Sequence, residues 1–170
     1  LVISTSLLSI EFDDINYNCD VVLKRQMYST CYNTTLKMPN YSFYKITNSS
    51  ADVTMERLNT FYVDPDLSKD VRSNNDDYGI YDKGHLAPAS LMDLNDSSRK
   101  EANYLSNIVP QDVYLNRFGA WRDVERLEQI IVNSYNLDII SGAVFKDSSV
   151  PTHMYKVIVI PSIKKYIIFY

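Results

Sequence analysis

The chain has 170 residues, 45% of them hydrophobic and 22% charged, the ordinary composition of one globular domain with a core of useful size. Its formal net charge of −4 and isoelectric point near 5.1 argue against holding nucleic acid by bulk electrostatics, so such a partner would need local positive charge or a bound divalent cation. No run approaches the roughly 18 consecutive apolar residues of a membrane span, and no membrane partner is expected. With Leu1 in place of methionine, a mature, processed or excised form is the expectation.

Cys19 and Cys31 allow either a local bridge in an oxidising compartment or two free buried thiols. Glycosylation triplets beginning at Asn33, Asn40, Asn48 and Asn95 lean the same way, toward a secreted or extracellular chain.

In chain order, "QMYSTCY" (26–32) and "YSFYKIT" (41–47) are rich in aromatic and β-branched residues and predict a pair of strands, with turn chemistry at Asn33, Pro39 and Asn40 between them. Residues 49–77 turn polar and irregular and read as a long surface excursion. Strand character returns at 78–81 and delivers the chain into Asp82-Lys83-Gly84-His85, so His85 is expected where a strand runs out. "SSRKEANYL" (97–105) predicts a short helix capped by Asn95 or Asp96. Trp121, Val124, Leu127, Ile131 and Tyr135 recur at helical spacing and predict an amphipathic helix over 120–135, with Trp121 in the core. "LDIISG" (137–142), "YKVIVI" (155–160) and "YIIFY" (166–170) read as strands buried on both faces. Strands, an irregular segment, helices and strands again make an α+β domain, because strand and helix do not alternate regularly.

His85 is one of only two histidines, and a lone histidine beside a glycine is most often a turn residue with a satisfied ring. The company it keeps argues otherwise. Asp82-Lys83-Gly84-His85, "SNIVPQ" (106–111), Asn116, Trp121 and Glu125, in an order that also includes "MYSTCYN", "FYVDP" and "SGAVF…VPTHMYKVIV", resemble the DNA/RNA non-specific endonuclease family. The resemblance covers most of the chain from Gln26 onward. It implies a ββα-metal (His-Me finger) nuclease fold with a central antiparallel sheet flanked by helices, as one domain over 1–170, shortened at its C-terminus relative to many members.

What the resemblance implies chemically is hydrolysis of DNA and RNA phosphodiester bonds with little sequence preference, leaving 5′-phosphate ends. His85 would be the general base, a role suited to an imidazole titrating near neutrality. Asn116 would be the direct protein ligand of one Mg²⁺, or Mn²⁺, with water and phosphate oxygens completing the shell. Glu125 would bind a metal-coordinated water or orient the surrounding shell, Lys83 would contact phosphate, and Asn107 would hold the loop of the site by hydrogen bonds. His153 matches a segment outside the catalytic centre and is taken as structural. Homodimers occur in the family, and mitochondrial or other organellar members make that location the alternative to secretion.

Three departures stand out. Most members carry arginine where this chain has Lys83, replacing a planar fork by a point charge, and an upstream arginine of the family has no counterpart in register, Arg57 lying nearby but misaligned. Between Asn116 and Trp121 the chain has one residue more than the family, which on a continuous helix would swing a side chain by about 100°; Gly119 is expected to absorb it, leaving Asn116 on a loop before the helix. These departures define the second reading, a weakened member that binds nucleic acid or a protein partner without cutting.

Overall fold

The computed structural model describes residues 9–16, 18–47 and 58–170. Strands β1 (Val21–Lys24), β2 (Tyr28–Asn33) and β3 (Met38–Ile46) form an antiparallel meander. The turn between β2 and β3 falls earlier than the sequence suggests. Asn33 Oδ1 accepts from Leu36 N, and Lys37 takes the left-handed conformation at φ 55°, so Pro39 and Asn40 lie inside β3. Pro39 faces Tyr32 where the register shifts between Cys31 and Tyr32, a bulge that accommodates a residue with no N–H to give the ladder. The two cysteines form a disulfide, Cys19–Cys31, with Cα atoms 5.0 Å apart, joining the approach to β1 to the buried strand β2.

Residues 78–81 are not a strand. A 3-10 turn over Asn75–Tyr78 buries Tyr78, whose hydroxyl donates to the backbone oxygens of Leu105 and Ile108; the strand begins afterwards as β4 (Asp82–His85). Helix α1 (Asp96–Ala102) takes Asn95 as its cap, the Asn95 side chain accepting from Ser98 N. β5 (Ile108–Gln111) pairs antiparallel with β4 as a separate two-stranded ladder. The short α2 (Val113–Arg117) follows, and α3 (Ala120–Val132) starts after Gly119. Helix α3 ends three residues before the expected Tyr135, because Ser134 N and Tyr135 N both donate to Ile131 O and close the last turn.

β6 (Leu137–Val144), β7 (His153–Ile160) and β8 (Lys165–Phe169) complete a six-stranded antiparallel sheet in the order β1-β2-β3-β6-β7-β8. One face, with Tyr44, Ile139 and Ile158, packs on Met92, Ala102, Val124 and Val132 from the helical layer; the other face is covered by Ile10 and Phe12 over Phe43 and Val159. β8 departs from expectation. It is an edge strand rather than one buried on both faces, with Tyr166 59% and Ile168 56% exposed, since an apolar run alone does not say whether a neighbour lies beyond it.

Candidate active site

The site is built outward from β4. Lys83 and His85 stand two apart and therefore share a face of the strand. The Phe61 ring lies against both, its centroid 5.6 Å from the His85 ring and 5.7 Å from Lys83 Nζ, which also sits 5.4 Å from the Tyr78 ring. An ammonium over two aromatic faces is attracted by both rings and loses freedom. Between them Gly84 has a structural reason of its own, because a Cβ there would run into the Gln111 side chain across the ladder.

His85 is 7% exposed, and its Nε2 lies 2.8 Å from Asn103 Oδ1. The direction of that bond follows from Asn103's other contacts. Its Nδ2 donates to two backbone carbonyls, Leu58 O and Thr60 O, each at 3.1 Å, so Oδ1 can only accept and Nε2 must carry the proton. The basic lone pair of the neutral ring is therefore on Nδ1. Sequence reasoning missed Asn103. Its one local signal was position, since it closes α1; its two carbonyl partners lie more than forty residues upstream and leave no local pattern.

Asn107 is fully buried and does not line the cleft. Its Oδ1 accepts from Ser42 Oγ and Ala87 N, and its Nδ2 donates to Ala87 O and Ala102 O. Its hydrogen-bonding capacity is thus spent clamping the segment two residues beyond His85.

Asn116 is in a helix of its own, not on a loop. A break separates α2 from α3, where Gly119 caps the second helix at φ −101° with no left-handed strain. Asp112 caps α2 by accepting from Tyr114 N and Leu115 N, and Asp82 anchors its other end: Asn116 Nδ2 donates to Asp82 Oδ2 at 3.0 Å, while Arg117 grips both Asp82 oxygens. Those bonds to Arg117 are the main reason the Asp82 carboxyl is held below its ordinary range. Anchoring the NH₂ end of Asn116 leaves its carbonyl oxygen, the atom a hard cation takes, as the end available to a ligand.

Asp82, Lys83, His85, Asn103, Asn116 and Glu125 line one cleft of about 1100 Å³. Trp121 lies elsewhere, 4% exposed in the core. His153 is also remote, exposed on β7 and stacked on Tyr170, and Arg57 and Asn48 fall outside the described residues. Among the described residues no cluster of three His, Cys, Asp or Glu side chains is placed to cage an ion. The donor set instead suits a cation that keeps most of its water: one neutral amide oxygen from Asn116 and one carboxylate, Glu125, in the same cleft, the sparse protein shell that Mg²⁺ accepts. The wall is also basic. Lys83, Arg99, Arg117, Arg122 and Arg126 face it against Asp82, Asp93 and Glu125, the reverse of the whole chain's net −4.

Residues 10–167 match the DNA/RNA non-specific endonuclease family. The human mitochondrial nuclease EXOG is 30% identical over 150 residues, covering 75% of this chain and 40% of the relative; a nuclease of Serratia marcescens is 33% identical over 121 residues, 67% of this chain and 44% of its own length. A crystal structure of the EndoG/EndoGI complex superposes with a TM-score of 0.74 at 25% identity, over 96% of this chain and 74% of that one. The chain spans 34 to 40% of the length of the mitochondrial EXOG proteins of zebrafish, Xenopus and human that it matches. With most of its length matched to that family and its antiparallel sheet and helices superposing on EndoG, the chain belongs to the DNA/RNA non-specific endonucleases.

Proposed function

We propose that the chain is a metal-dependent endonuclease that hydrolyses phosphodiester bonds of DNA and RNA with little sequence preference. The observation that carries this reading is the fixed tautomer of His85: Asn103 holds the proton on Nε2, so Nδ1 is the nitrogen that takes a proton from the attacking water. Water oxygen then bonds to phosphorus as the bond to the 3′ oxygen breaks, leaving a 5′-phosphate and a 3′ oxygen that takes its proton from solvent water. Lys83, placed beside His85 by the alternation of β4, holds a nonbridging phosphate oxygen as a point charge. Asn116 and Glu125 are the residues that would hold Mg²⁺, or Mn²⁺. When bound, such an ion supplies the positive charge that stabilises the leaving oxygen. Low sequence preference follows from the same inventory, since Lys83, His85 and a cation read phosphate rather than base edges.

The Cys19–Cys31 disulfide supports an oxidising compartment, in keeping with a secreted chain, although several relatives are named mitochondrial. The test is cleavage of supercoiled plasmid and of RNA by the purified chain with Mg²⁺, with EDTA, and with His85→Ala in parallel. Cleavage that needs the metal and falls at least about 10²-fold in the variant is the expected result; near-normal turnover by folded His85→Ala would remove the histidine from the chemistry.

A further inference from the structure

A row of polar side chains crosses the sheet beneath the cleft. Thr30, Ser42, Ser141 and Lys156 are register partners on β2, β3, β6 and β7, so they share one face, and all are fully buried. The next row of that face, Tyr44, Ile139 and Ile158, is ordinary core. The polar row has two outlets, and both lead toward the site. Ser42 Oγ donates to Asn107 Oδ1 at 3.1 Å, the clamp on the segment after His85. Lys156 Nζ lies 2.9 Å from Glu128 Oε1, both side chains 0% exposed, and Glu128 is on α3 three residues after Glu125. Tyr44 donates its hydroxyl toward both Glu128 oxygens, at 3.2 and 3.3 Å, and Lys156 Nζ rests 4.6 Å from the centre of the Trp121 ring, one residue into the same helix.

Such a pair is a poor source of stability. Burial pushes the Glu128 carboxyl up against the opposing pull of Lys156 and Tyr44. The contact is ionic rather than a directed hydrogen bond, for Lys156 Nζ, like Ser141 Oγ and Trp121 Nε1 in the same layer, has no partner in hydrogen-bond geometry among the described residues. Apolar residues of similar volume commonly do as well or better at such places. What the pair adds is register. An apolar helix face can slip or turn on an apolar sheet, whereas α3 cannot shift without stranding a buried charge, and a turn of one residue would swing Glu125 by about 100°.

We propose that Glu128 and Lys156 are positioning residues for the reaction: their buried contact fixes α3 on the sheet, and through it the place of Glu125 in the cleft, on the same row that anchors the His85 segment. The inference rests on reading Glu125 as part of the metal site. It is tested in the full chain with Glu128→Gln/Lys156→Met, which removes both charges and keeps an acceptor for Tyr44. The double variant is expected to fold with a Tm at or above the parent's, yet to bind Mn²⁺ about 10-fold more weakly by electron paramagnetic resonance, to lose kcat with KM little changed, and to exchange α3 amides faster. A folded double variant with parental Mn²⁺ affinity and kcat overturns the proposal. Should that variant fail to fold, Lys156→Met alone breaks the contact and leaves Tyr44 on Glu128: weaker Mn²⁺ binding supports the role, and unchanged binding rejects it. A parent chain without metal-dependent cleavage would refute the endonuclease reading, while Mn²⁺ affinity and amide exchange still decide whether the pair positions Glu125.

Discussion

Asn103 fixes the ring of His85, the proposed general base, through a single hydrogen bond. Two carbonyls hold its NH₂ and force its oxygen toward Nε2, so an alanine there would free the imidazole to choose either tautomer and to rotate. Asn103→Ala is expected to lower kcat at least about 10-fold, within the roughly 10²- to 10⁴-fold that a general base contributes, with KM little changed; a full kcat would mean that packing against Phe61 alone orients the ring. Lys83 makes a different case. Its ammonium is set over Phe61 and Tyr78, and a guanidinium stacks on such faces at least as well while offering phosphate a two-pronged grip. Lys83→Arg should therefore hold or raise kcat/KM on plasmid DNA, and a large loss would show a pocket shaped for lysine. Lys83 and His85 could be singled out in advance only through the family resemblance of Asp82-Lys83-Gly84-His85, their shared strand face emerging with β4; Asn103 could not, because its partners are distant in the chain.

At the level of elements, α2 owes its place to one carboxylate. Asp82 at the start of β4 receives Asn116 and Arg117 from α2, tying the candidate metal ligand to the strand of the candidate base. Asp82→Ala should let the Asn116 amide rotate and raise the half-saturating Mg²⁺ concentration for cleavage about 10-fold; an unchanged titration would place the ligand elsewhere. The tie also has a pH sign. Because Arg117 chiefly holds the Asp82 carboxyl below the ordinary value of about 3.9, its contribution to stability is complete above that value and is lost only as pH falls through the lowered one. Acid inactivation at milder pH would belong to another group. Helices α1 and α3 could be read in advance because a cap and a repeating apolar stripe are local signals. The short α2 and β5 could not, being fixed by Asp82 and by pairing with β4, and the exposure of β8 depends on what lies beside it.

Across the whole molecule the charge is divided against itself. A net −4 argues for repulsion from nucleic acid, yet the cleft gathers Lys83 from β4, Arg99 from α1, and Arg122 and Arg126 from α3, residues that no stretch of sequence shows together. Arg117 contributes little to that wall, since Asp82 neutralises it at contact distance. Arg122 and Arg126, four apart, lie on one side of α3, and both face the cleft that contains Glu125; a backbone passing the site would meet them in succession. Each phosphate neutralised by such a side chain steepens the dependence of log K on log salt by about 0.9 for duplex DNA. Arg126→Ala in a His85→Ala background should thus weaken duplex binding equally for AT-rich and GC-rich sequences and flatten the salt slope by about 1, read by fluorescence anisotropy in EDTA across a series of NaCl concentrations. A loss confined to one sequence would turn Arg126 into a base reader, and an unchanged slope would route the duplex away from α3. On the proposed reading, the chain's net −4 would leave the basic wall of the cleft as the place where a polyanion gains by docking.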